Sequence, residues 1–195
     1  MEFISDILYW ISTGLLVPVI VVLILLFVRS LLLVGSFFGQ YLAINKASAQ
    51  VRKALSGVTR GNVETCLEQL PRKSQLPVVR YVQLIVAAKD EPAEVQRLLA
   101  EFEIAADKDL STSKMLSKLG PMMGLMGTLI PMGPALAGLA SGDIESMARN
   151  MQVAFATTVT GLVAAAIGYV TQQVKQRWYL QDMTNLEYLA EVLRK

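Results

Sequence analysis

At 195 residues, 53% of them hydrophobic, and with a mean hydropathy of +0.46, the chain is too apolar for an ordinary soluble domain. It has no histidine and a single cysteine, Cys66, which excludes an internal disulfide and a metal site of the Cys/His type. The net charge of +2 is uninformative by itself, the placement of the basic residues pointing to topology and not to nucleic acid, and Cys66 reads as a small buried apolar residue.

The apolar residues are gathered into three runs without a charge, Ile7 to Val28, Leu119 to Leu139 and Met151 to Val170, of 22, 21 and 20 residues. A helix crosses about 30 Å of hydrocarbon with roughly 20 residues, so all three are predicted to span a membrane. The first run follows Glu2 and Asp6 with no base, and no Ala-x-Ala site follows Val28. It therefore reads as an uncleaved anchor, not a signal peptide. It continues past Arg29 into Leu31 to Tyr41, with Arg29 snorkelling to the inner head groups and Phe37, Phe38 and Tyr41 near the interface. Pro18 is expected to bend it, and the large side chains of Leu23, Ile24, Leu25 and Leu26 are expected to face lipid.

The segment after the first run reads as helices, with no strand alternation and no repeat. Leu42 to Leu55 forms a mixed helix that stops near Gly57. Asn62 caps Val63 to Leu70, which Pro71 ends, and Val78 to Ala88 is mostly apolar. Asp90 is predicted to cap the next helix, with Glu91 and Pro92 in its first turn. Val95, Leu98, Leu99, Phe102 and Ala105 then give it one buried face, and the helix runs through Leu110 and Leu116 into the second span. Thirteen of the eighteen Lys and Arg residues lie from Arg29 to Lys118. Lys175, Arg177, Arg194 and Lys195 follow the third run, whereas Ser141 to Met147 holds Asp143 and Glu145 and no base. By the positive-inside rule the middle segment and C-terminal tail are cytoplasmic, and the N-terminus and short loop are outside.

The expected architecture is an all-α integral membrane protein with three transmembrane helices and long helical extensions into the cytoplasm. Its parts are a first span with its extension (1–41), a cytoplasmic helical segment (42–114), a second span (115–140), an external loop (141–148), a third span (149–173) and a cytoplasmic C-terminal helix (174–195).

Spans two and three differ in kind from span one. Gly120, Gly124 and Gly127 share a helix face, and Gly161 and Gly168 lie seven apart with Ala164 and Ala165 between them. Such faces let membrane helices approach closely, which packing alone explains for most of these residues. The second span also carries Pro131 and Pro134, which free the carbonyls of Gly127 and Ile130. In lipid those carbonyls need protein, water or a hydroxyl, so this part of the helix either faces a protein or wet surface or is simply kinked. Thr157, Thr158 and Thr160 fall within four residues, and Thr128 sits mid-span. Each alone can bond its own backbone. Together they put hydroxyls at mid-depth on two antiparallel helices, within a turn of one level, which allows a polar collar. No carboxylate lies between Asp109 and Asp143, or between Glu145 and Asp182. These spans cannot hold a proton on an acid of their own, and an intramembrane enzyme would lack general acid-base groups.

At these residues the chain resembles the MotA/TolQ/ExbB proton-channel family. Pro121-Met-Met-Gly124-Leu-Met-Gly127-Thr128 is similar to the motif entering that family's second span, and Ala154-Phe155-Ala-Thr-Thr158-Val-Thr-Gly161-Leu162 to the motif of its third. The specific resemblance covers roughly Phe102 to Arg177, while the first hundred residues agree in architecture only. Three spans and a short chain look more like the ExbB/TolQ branch than the four-span MotA branch. The resemblance implies a multi-pass protein of the cytoplasmic (inner) membrane without a cofactor. It implies a homo-oligomer, a pentamer, around single-span partner subunits resembling ExbD, TolR or MotB, one of whose aspartates carries the proton. Thr128 and Thr158 would face that aspartate, in a lumen also lined by Thr157, Thr160, Gly124, Gly127, Gly161 and Ala154. Two positions depart from the pattern: Val153 stands where a glutamate is common, and Pro131 where many members have glycine. The missing glutamate leaves the outer end of the path less polar. The leading expectation is thus a channel subunit of an ion-driven motor, and the alternative is a non-conducting membrane scaffold of the same fold.

Overall fold

The computed structural model describes residues 2–56 and 77–194, with side chains described for 3–4, 7–41 and 77–194. The expected helix from Val63 to Leu70, its Asn62 cap, the stops at Gly57 and Pro71, and Cys66 all lie outside the described residues. The fold is all-helical: α1 is Glu2–Gly14, α2 is Leu16–Ser56, α3 is Pro77–Ala87, α4 is Pro92–Ser141 and α5 is Ile144–Arg194, with no strand among the described residues. Among the described residues three stretches are long and apolar enough to cross a membrane, Ile7–Tyr41, Pro92–Ser141 and Ile144–Arg194. The chain divides into two compact units, residues 1–35 with 112–172, and residues 36–111 with 173–195.

In the first unit, α1 and α2 are separated at Leu15. The cause lies three residues on: Pro18 has no N–H to give the Gly14 carbonyl, so the ladder is interrupted one turn before it. The backbone recovers at once, because Val19 N donates to the Leu15 carbonyl at 3.1 Å. Leu26 and Leu33 of α2 pack against the fully buried Leu116 of α4, with Met115, Leu119, Met123 and Ile167 around them. Leu23 and Leu26, one turn apart, are therefore turned into the protein, while Ile24 and Leu25 stay exposed. The expectation that all four face lipid is corrected: a single helix side cannot hold four consecutive residues.

The turn between α4 and α5 consists of Gly142 and Asp143 alone. Gly142 adopts φ 78°, a left-handed conformation that costs glycine nothing. Asp143 N donates to the Gly138 carbonyl and Gly142 N to that of Leu139, the Schellman arrangement that closes a helix end. Asp143 then caps α5, its Oδ1 accepting from Ser146 N at 3.0 Å. The helix starts at Ile144, so most of the expected 141–148 connection is already helical.

The second unit has its own core, built from Val78, Val79, Tyr81, Val82 and Ile85 of α3, Val95, Leu98, Leu99 and Phe102 of α4, and Leu186 and Leu189 of α5. Phe102 sits edge-on to Tyr81 with centroids 5.2 Å apart and to Tyr179 at 6.3 Å. Full burial of each of these large side chains contributes about 1.5–3 kcal/mol. α4 starts at Pro92, one residue later than a cap at Asp90 predicts, with the Glu91 carbonyl accepting from Val95 N. Proline suits this first position because its missing N–H has no helical partner to lose. Ala106, not Ala105, continues the buried face, since after Phe102 the stripe advances in steps of four. Phe37 stacks on Trp178 at 5.7 Å and 8°, a protein contact where only an interfacial position was expected.

Candidate functional site

The site is built on the antiparallel contact of α4 and α5. Gly120, Gly124 and Gly127 are all buried, and so are Ala154, Thr157, Gly161, Ala164, Ala165 and Gly168 on the facing helix. The approach leaves no room for a Cβ at Gly120, Gly127 or Gly161. A Cβ on Gly161 would stand 2.6 Å from the Gly120 carbonyl oxygen and 2.9 Å from Gly124 Cα, and one on Gly120 would stand 2.7 Å from the Gly161 oxygen. Gly127 leaves a hole that Thr157 fills, its Cβ and Oγ1 each 2.6 Å from where a Cβ would be. Gly124 is looser, with its nearest neighbour, Gly161 Cα, at 3.5 Å. Thr157, Gly124, Gly127 and Gly161 therefore make the helix contact, and Ala154 is buried on the same helix.

The other three threonines flank that contact. A residue step turns about 100° around a helix, so Thr128 lies about 80° from the direction of Gly120, and Thr158 about 100° from that of Thr157 in the same sense. On antiparallel helices facing each other, the same sense means the same side. Thr160 lies about 60° the other way and so on the opposite side. Gly127 meets Thr157, and Gly124 meets the carbonyls of Thr157 and Thr158. Thr128 and Thr158 are accordingly less than one turn apart in depth. By this geometry Thr128 and Thr158, both half-exposed, share one flank of the contact, Thr157 is buried in it and Thr160 lies on the other flank.

All four hydroxyls donate to their own helix. Thr128 Oγ1 donates to the Leu125 carbonyl at 2.7 Å, Thr158 Oγ1 to Ala154 at 2.9 Å and Thr160 Oγ1 to Ala156 at 2.8 Å. Thr157 Oγ1 has the Val153 and Ala154 carbonyls both at 2.9 Å. With the proton so committed, each oxygen keeps its lone pairs for a donor such as a protonated carboxyl or water. To serve an ionised carboxylate instead, the hydroxyl must rotate away from its carbonyl.

Two polar groups that the sequence reading missed lie on these helices, one in each compact unit. In the first unit, Thr171 Oγ1 lies 3.3 Å from Ser113 Oγ, and both residues are buried. In the second, Lys175 is 2% exposed, and its Nζ donates to Asp109 Oδ2 at 2.8 Å. Tyr179 donates to the same oxygen at 2.8 Å. Burial, and then its bond to Asp109, push the Tyr179 phenol up, so it stays protonated and remains a donor. The signal was available: Thr157, Gly161, Ala164, Gly168, Thr171 and Lys175 follow one another at steps of four and three, which puts a lysine on a stripe of small buried residues. Among the described residues no group of three His, Cys, Asp or Glu is placed to hold a metal ion.

The sequence model of the MotA/TolQ/ExbB proton channel family matches residues 77–187, more than half of the chain. No curated protein sequence and no solved structure matches it.

Proposed function

The chain belongs to the MotA/TolQ/ExbB proton channel family, and we propose that it is the channel-forming subunit of an ion-driven motor in the cytoplasmic membrane. The observation that carries this reading is the close glycine contact of two spans that contain no acid, whose helix geometry puts Thr128 and Thr158 on one flank. Such a flank offers hydroxyl oxygens at mid-depth but cannot carry a proton, so it fits a separate subunit whose single helix brings an aspartate. Copies of this chain, five by family likeness, would enclose that helix with α4 and α5 inward. The lumen-lining role then falls to Thr128 and Thr158, while Thr157 and the glycines hold the two helices together. Assembly is tested by native mass spectrometry of mildly solubilised protein. A multiple of the 21.4 kDa chain, five being the expected number, supports the reading, and a clean monomer counts against it.

The orientation we propose puts the N-terminus and the Gly142 turn outside, because the second unit and the residues leading to it carry most of the basic side chains. In a Cys66→Ser background, a cysteine at exposed Ser141 should react with a membrane-impermeant maleimide in intact cells, and one at exposed Lys89 only after lysis. The reverse pattern would invert the topology.

Val153 favours a second reading. It is half-buried, its carbonyl faces the Thr157 hydroxyl, and it brings no polar side chain to the outer part of the span. A scaffold that assembles but does not conduct would have this feature, and it predicts oligomers with no flux.

A further inference from the structure

Four aromatic rings meet in the second unit. Phe37 stacks on Trp178 with centroids 5.7 Å apart, and Tyr41 tilts against both, 6.0 Å from Phe37 and 5.9 Å from Trp178. Phe38 stands edge-on to Phe37 at 6.5 Å. The stacked pair is half-buried, whereas Phe38 is 61% and Tyr41 40% exposed, so the outer side of the cluster is open. Arg177, beside Trp178 on α5, is exposed as well. Single exposed apolar residues are ordinary, but a cluster of rings with an open side marks a surface that something covers.

What covers it follows from its place on α2. The apolar stretch Ile7–Tyr41 ends on the cluster. Its 35 residues make about 50 Å of helix, against roughly 40–45 Å from one lipid head-group layer to the other. A tilt of about 20° does not remove the difference. The stretch therefore reaches both layers, and aromatics mark both of its ends, Tyr9 and Trp10 at the start and Phe37, Phe38 and Tyr41 at the finish. Tryptophan and tyrosine collect at that depth because a ring with a polar N–H or O–H suits a layer that is apolar on one side and wet on the other. The charge agrees: α2 carries Arg29, Lys46, Arg52 and Lys53 and no acid, which matches an anionic lipid surface.

We propose that Phe37, Phe38, Tyr41 and Trp178 form an interfacial anchor, which seats the second unit in the lipid head-group layer on its side of the membrane. Phe38 and Tyr41 enter the layer. Phe37 and Trp178, stacked behind them, tie α2 to α5, and Arg177 reaches lipid phosphates. The inference rests on the chain spanning a membrane and not on its conducting.

The test uses the full chain with Trp10→Phe, which leaves Trp178 as the sole tryptophan. It is reconstituted in vesicles of zwitterionic and anionic phospholipid that carry a quenching spin label either at the head group or near the ends of the acyl chains. Iodide is the aqueous quencher. Trp178 fluorescence should be quenched severalfold more by the head-group label than by the deep label or by iodide. Phe38→Ser with Tyr41→Ser removes the two exposed rings and leaves the stacked pair. It should cut head-group quenching by half or more and raise quenching by iodide. Should that variant lose helicity, Phe38→Ser alone makes the same comparison. Quenching by iodide alone would put the cluster in water, and quenching by the deep label would put it in hydrocarbon. Quenching by neither lipid label nor iodide would mean that protein covers it. Each of these results overturns the anchor, and none depends on flux or subunit number, so the channel reading could stand without it. A chain that does not float with the vesicles would overturn both.

Discussion

Thr158→Val and Thr128→Val are each expected to leave assembly intact and to lower ion-coupled flux about 5- to 150-fold, the rate equivalent of losing one hydrogen bond at 1–3 kcal/mol. Valine keeps the shape of threonine and removes the oxygen. An acid crossing a hydrocarbon core needs a hydrogen-bond partner while neutral and far more support while ionised. The Thr128 and Thr158 oxygens face the same flank, with their own protons held by the Leu125 and Ala154 carbonyls. In the proposed channel they would receive a bond from the partner's protonated acid, the form that must move. Thr157→Val should stay near wild-type flux, because Thr157 is buried against Gly127. Thr160→Val should do the same, because Thr160 lies on the opposite flank. The measurement is proton flux in vesicles holding the chain and the proposed single-span partner, with oligomer size followed in parallel. Unchanged flux in both the Thr128 and Thr158 variants would remove these residues from the mechanism. Absence of flux in the unmutated complex would favour the scaffold.

Gly161→Ala is expected to abolish stable folding, while Gly124→Ala is expected to be close to neutral. The two glycines sit in the same contact, and by pattern alone they look alike. A methyl group at Gly161 would press on the Gly120 carbonyl oxygen at 2.6 Å and on Gly124 Cα at 2.9 Å, both backbone atoms of a helix that cannot give locally. Relief requires the helices to part along their length, so the cost exceeds the roughly 1–3 kcal/mol of ordinary overpacking. At Gly124 the same methyl group meets nothing closer than 3.5 Å, an ordinary van der Waals contact. Yield of monodisperse protein and its thermal stability in detergent decide the matter. Gly161→Ala protein as stable as wild type would mean that the helices are not in this close contact.

The fold class was legible because a membrane imposes coarse demands. Three charge-free runs of about 20 residues and the placement of Lys and Arg are enough to indicate spans, whatever the tertiary structure does with them. The start of α4 near Asp90 could be read to within one residue, because proline is tolerated in the first turn and nowhere further in without cost. The site was legible in kind. Glycines at spacings of four and three announce a close contact, and threonines without acids announce hydroxyls without a proton carrier.

What the sequence could not assign was which residue meets which. Thr157 and Thr158 are adjacent and chemically identical, and only the hole left by Gly127 makes one a packing residue while the other stays on the flank. Leu23 and Ile24 are equally apolar, and only the position of Leu116 and its neighbours on α4 decides which side of α2 turns inward. Lys175 and Asp109 are 66 residues apart and read as ordinary cytoplasmic charges until the hairpin at Gly142 folds one helix back along the other. Local pattern reports the face of a helix, because a face repeats every three or four residues. Register between two helices depends on pairings far apart in the chain, and these exist only once the tertiary structure has formed.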